Sequence, residues 1–141
     1  MYENYTRQSL PSKEYRELLG TAIFVFNSNN AFVIENILNC DADKEYNWYD
    51  LIDCTSGSLS IPIKETITRN SNTGIARLFG DLVGIRNRII HSFQIMNDAG
   101  DQMLRTKDHN HFQFNITEEF LLDFIRKNEQ LSTMLHDFRG H

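Results

Sequence analysis

Apolar residues recur at helical spacing in three long stretches of the chain. Tyr15, Leu19, Ile23, Phe26, Val33 and Ile37 form the first stripe. Ser12, directly after Pro11, is suited to cap it, and Glu14 suits its first turn, so one helix is predicted over about residues 12–39. Asn27, Ser28, Asn29 and Asn30 are poor helix formers inside it, and Asn30 falls on the stripe of Phe26 and Val33, which predicts a buried amide in need of a partner. The second stripe is Ile75, Leu78, Phe79, Leu82, Ile85, Ile89 and Phe93, entered from the turn-forming NSNTG at 70–74. It is predicted to end near Ile95, because NDAGD at 97–101 is rich in breakers. The third opens at Thr117, a good cap followed by Glu118 and Glu119, and carries Phe120, Leu121, Phe124, Ile125, Leu131, Leu135 and Phe138 to a stop at Gly140.

Shorter elements fill the gaps. DADKEYNWYDLID, residues 41–53, predicts a short helix capped by Asp41 or Asp43, and CTSGSLS at 54–60 a loop. IPIKETITR mixes β-branched residues with a proline suited to a first helical turn, and is assigned as a short helix. QMLRTKD and HFQFNIT predict two short strands around a turn at Asp108, His109 and Asn110; in the second, Phe112, Phe114 and Ile116 alternate with Gln113 and Asn115. The expected architecture is all-α: a bundle of about four to five helices with a small β-hairpin inserted before the last. With no internal repeat or linker, residues 1–141 form a single domain.

Composition leaves that picture intact: 40% hydrophobic and 23% charged residues are ordinary for a globular protein. There is no apolar run of membrane-spanning length and no signal-peptide pattern in MYENYTRQSL, so a cytoplasmic protein without a membrane partner is expected. Cys40 and Cys54 form no CxxC pair and are read as reduced thiols, and the glycosylation sequons at Asn4 and Asn115 carry no weight without secretion. The net charge of −5 argues against broad coating of nucleic acid. The charge is nevertheless unevenly placed. Residues 69–111 hold six Lys/Arg against four Asp/Glu, leaving eight against fifteen elsewhere, a pattern that suits a localised anionic ligand.

Three groups carry candidate chemistry. Asp108, His109 and His111 can offer metal ligands, since residues two apart on a strand share a face, but a third ligand is lacking and a solvated turn is the better reading. Cys54-Thr55-Ser56-Gly57-Ser58 has neither an arginine at phosphatase-like spacing nor a phosphate-binding lysine, and is read as a loop. The stretch GIRNRIIHSF, residues 84–93, is different. On a helix Asn87 and His91 form an i, i+4 pair with Arg88 beside them, and the long side chain of Arg86 can reach the same face. Guanidinium groups bind phosphodiester oxygens with two parallel bonds, and an imidazole can move a proton near neutral pH. The polar side of an amphipathic helix, with His91 as a helix-end cation, would carry the same residues.

Arg86-Asn87-Arg88-Ile89-Ile90-His91 resembles the R-x(4–6)-H motif of the HEPN superfamily, including the polar residue directly after the arginine. The setting is similar too: the motif lies late in a long helix, with long first and last helices around it. The resemblance implies a metal-independent endoribonuclease without a cofactor, acting on RNA as a toxin or anti-phage effector, with an antitoxin or other neutralising protein as partner. Arg86, Asn87 and His91 would take the catalytic positions, with Arg88 as an additional RNA contact. The resemblance also implies a homodimer whose facing motif helices share one composite site. Some HEPN toxins carry a tyrosine two residues after the histidine, which a partner enzyme modifies with AMP; Ser92 and Phe93 stand there in this chain, and that regulation is not expected. The competing expectation is a non-catalytic HEPN-like dimer that binds a nucleotide, RNA or protein.

Overall fold

The computed structural model describes residues 2–140. Three long helices frame it: α1 (Lys13–Cys40), α4 (Gly74–Ile90) and α5 (Glu118–Phe138), with short α2 (Trp48–Asp53) and α3 (Ser60–Ile63) between the first two. A 3₁₀ turn (Ser56–Leu59) leads into α3, which runs on into a π-helical turn, Lys64–Thr68. A small antiparallel sheet of β1 (Phe93–Met96), β2 (Gln102–Lys107) and β3 (Gln113–Ile116), in that order, precedes α5. The fold is therefore mostly helical with a three-stranded sheet, rather than all-α with a two-stranded hairpin.

The long helices begin where their caps predict. Ser12 Oγ accepts from the Tyr15 amide at 3.1 Å, and Thr117 Oγ1 from the Phe120 amide at 3.0 Å. Their apolar faces meet in one core, where the Phe26 ring stacks on Phe79 of α4 and on Phe124 of α5, each at 6.1 Å between centroids. The predicted buried amide is displaced by one residue. Asn29 is buried, and its Nδ2 donates to the Asn128 carbonyl at 2.7 Å and to Asn128 Oδ1 at 3.0 Å. Asn30 is half-buried and accepts from Ser56 Oγ at 2.7 Å.

Two boundaries differ from expectation, each because a side chain satisfies backbone groups differently. Asp41 caps no helix: its carboxylate accepts from the amides of Glu45 (3.1 Å) and Tyr46 (2.8 Å), folding 41–46 into a loop. The short helix starts only at Trp48, where Asn47 Oδ1 accepts from the Asp50 amide at 2.9 Å. The motif helix ends at Ile90 instead of near Ile95. His91 leaves helical geometry (φ −95°, ψ 34°), and Ser92 Oγ caps the Ile89 carbonyl at 2.6 Å. The chain then turns back as β1. NDAGD closes this first hairpin: Asn97 Oδ1 accepts from the amides of Ala99 (3.0 Å) and Asp101 (2.8 Å), and Gly100 adopts φ +87°, which glycine takes at least cost.

One hydroxyl fastens the sheet to the bundle. Buried Tyr15 on α1 donates to the Ile116 carbonyl of β3 at 2.6 Å and accepts from the Leu104 amide of β2 at 3.1 Å. Burial raises its pKa above the ordinary tyrosine value.

Candidate functional site

Helix α4 is amphipathic, and its buried residues Ile75, Phe79, Leu82, Val83 and Ile89 fix which way the polar ones point. In its last turns Arg86, Asn87 and Arg88 are half-buried, while His91 sits exposed at the C-cap. The His91 amide donates to the Asn87 carbonyl at 2.9 Å, so the i, i+4 pair expected from the sequence is joined through backbone. The helix carboxyl end also favours positive charge, which suits Arg88 in the last turn.

The two arginines are held in different ways. Arg88 Nη1 donates to the Lys107 carbonyl at the end of β2, joining the motif helix to the sheet. Arg86 turns inward: its Cζ lies 5.2 Å from the centroid of the Phe26 ring, and its Nε is buried without a hydrogen-bond partner. Among the described residues the side chains of Arg86, Asn87 and His91 form no hydrogen bond or salt bridge, with each other or with the rest of the chain. The structure thus groups the predicted residues at one helix end but does not lock them into a mutual network. Three hollows among the described residues lie elsewhere. One of about 870 Å³ is bordered by Cys40, Tyr46, Lys64, Glu65 and Arg69, and neither it nor the two smaller ones is lined by Arg86, Asn87 or His91. Beside the first hollow the Tyr46 hydroxyl donates to Glu65, and the carboxylate pushes the Tyr46 pKa up to about 12. Burial raises that of the Cys40 thiol.

The other candidates have structural occupations. The Asp108 carboxylate accepts from the amides of Asn110 (2.8 Å) and Phe112 (3.0 Å), ordering a tight turn in which His109 and His111 are exposed. Among the described residues no three His, Cys, Asp or Glu side chains gather in a metal-binding group. In the CTSGS segment, Thr55 and Ser58 share a hydrogen bond at 2.7 Å and Ser56 is bound to Asn30, so both outer hydroxyls serve the local turn. Phe26 and the Lys107 carbonyl, which fix the two arginines, were invisible to pattern reading. Phe26 reads as one more core position, and a backbone acceptor has no sequence signature.

Compared with protein-family models, with curated proteins and with solved structures, the chain finds no match. No helix among the described residues is long and apolar enough to cross a membrane.

Proposed function

We propose that the protein is a metal-independent endoribonuclease of HEPN type, working as a homodimer in which the carboxyl ends of two α4 helices share one cleft. The observation that carries this reading is the state of Arg86, Asn87 and His91. They are gathered at one helix end, with side chains that answer no need of the fold by hydrogen bonding. Polar groups left without internal partners are available to a ligand, and here they comprise an arginine, an amide and an imidazole. The R-x(4–6)-H resemblance and the basic excess of residues 69–111 support the same conclusion.

RNA carries its own nucleophile, which keeps the chemistry simple. His91 of one subunit removes the proton of a ribose 2′-hydroxyl as O2′ bonds to the adjacent phosphorus. The bond from phosphorus to the 5′-oxygen breaks, and a protonated His91 of the partner subunit supplies the proton to that oxygen. The products are a 2′,3′-cyclic phosphate and a 5′-hydroxyl. Arg86 stabilises the charge that builds on the non-bridging oxygens, Asn87 holds one of them, and Arg88 contacts a flanking phosphate with the donors its Lys107 bond leaves free. In this reading the biological role is that of a toxin or anti-phage effector held in check by a neutralising protein in the cytoplasm.

The test is cleavage of structured RNA in excess EDTA by wild type, Arg86→Ala and His91→Ala. Cyclic-phosphate ends produced by wild type alone support the ribonuclease. Activity abolished by EDTA, or retained by both variants, overturns it. RNA bound but not cut by wild type would favour a non-catalytic HEPN-like binding module, the reading that the net charge of −5 supports.

A further inference from the structure

Arg86 has an unusual environment for a surface-helix arginine. Its Nε is sealed from solvent with no acceptor, a loss that proteins ordinarily avoid. What faces the guanidinium is the ring of Phe26, which is 1% exposed. A cation within about 6 Å of an aromatic centroid is attracted by the negative face of the ring, more strongly when both are shielded from water. N–H groups directed at that face gain a weak additional bond. The ring is held in the core beside those of Phe79 and Phe124, each 6.1 Å away between centroids, where three helices meet. Only Nε of the Arg86 nitrogens is buried without a partner; the terminal nitrogens form no internal hydrogen bond and are not sealed from solvent.

We infer that Phe26 is a positioning residue for the reaction: its π-face anchors the Arg86 guanidinium by the inner edge and presents the outer nitrogens to the scissile phosphate. The inference rests on the ribonuclease reading and adds a residue distant in sequence, on a different helix, that no motif contains. Phe26 touches no substrate. It lowers the reorganisation needed when charge develops on the phosphate, so its influence is on kcat.

The decisive experiment replaces Phe26 in the full chain with mono-, di- and trifluorophenylalanine, which drains the ring's negative face at nearly constant shape. Cleavage of a defined RNA oligonucleotide in EDTA gives kcat and KM, and the Arg86 Nε–H proton is followed by NMR. The expected result is a stepwise fall in kcat, reaching about tenfold with three fluorines, while KM stays within about twofold. The Arg86 proton is expected to resonate upfield in the wild type through the ring current, and Phe26→Leu to return it to the ordinary arginine position. A purely packing role would leave kcat flat across the series, because ring size hardly changes. A flat series in an enzyme whose wild type cleaves RNA overturns the inference and leaves the ribonuclease standing, as does an Arg86 proton at the ordinary position in the wild type. A wild type that cuts no RNA overturns the ribonuclease and the kinetic role with it.

Discussion

Arg86 illustrates how a side chain proposed for catalysis burdens a fold. Its buried, unpartnered Nε carries a desolvation penalty of about 1–3 kcal/mol, only partly offset by the Phe26 ring. Arg86→Met keeps the stem and removes the orphaned donor. Its melting temperature is expected to rise by a few degrees, equivalent to about 1 kcal/mol, while cleavage falls at least about 100-fold. A variant that melts lower than wild type would show that the arginine is structural. Tyr46 gives a residue-scale prediction unconnected with catalysis. Glu65 holds its hydroxyl protonated to about pH 12, against 10.0 for an unperturbed tyrosine, so the folded state binds this proton more tightly than the unfolded state. The resulting stabilisation is complete below pH 10 and is lost as pH rises through 12. Tyr46→Phe should flatten the stability curve over that interval, and the tyrosinate absorbance of the wild type should show one late titration that the variant lacks. An unchanged alkaline profile would refute the coupling.

Elements are joined here by a few well-placed polar contacts, of which the Tyr15 hydroxyl reaches furthest. It links α1 to β2 and β3 at once, satisfying a donor and an acceptor. Tyr15→Phe leaves the Ile116 carbonyl and the Leu104 amide without that partner, at an expected cost of about 1–3 kcal/mol. Denaturant titration would measure it, and a loss below about 0.5 kcal/mol would mean that water replaces the hydroxyl. The same scale explains what the sequence could disclose. Ser12 and Thr117 marked helix starts correctly because each cap acts on amides two or three residues away, and the long apolar stripes left one helical face to bury. Asp41 misled because a carboxylate serves a loop as well as a helix cap, and only tertiary packing decides between them. Phe93 fitted the helical stripe, yet it lies on a strand paired with Arg105, a partner twelve positions onward that no local window can weigh. The site was legible as a cluster of residue types at helical spacing. The support beneath it, Phe26, was not, because sixty residues separate it from Arg86.

For the whole molecule, the proposed chemistry needs an acid and a base, and each chain supplies one motif histidine. Pairing two copies would also double the positive charge around one cleft, which repels the subunits in isolation but strengthens the hold on an anionic ligand. Sedimentation or light scattering should therefore find a dimer at assay concentrations, and mixing inactive His91→Ala chains into wild type should lower activity more steeply than in proportion to the wild-type fraction, because a mixed dimer lacks either the acid or the base. A strict monomer that cuts RNA, or activity that falls only in proportion to the wild-type fraction, would overturn the composite site. Helix α4 gives way to the sheet at His91. Its amide bond to the Asn87 carbonyl is the last turn of α4, and β1 begins two residues later, so the histidine stands at a hinge pin between bundle and sheet. Fraying of that single turn would swing the imidazole away while leaving Arg86 rooted on its ring. Solvent exchange of the His91 amide proton would thus count the openings of that turn, and any partner that clasps β1 would stop that clock without touching an arginine.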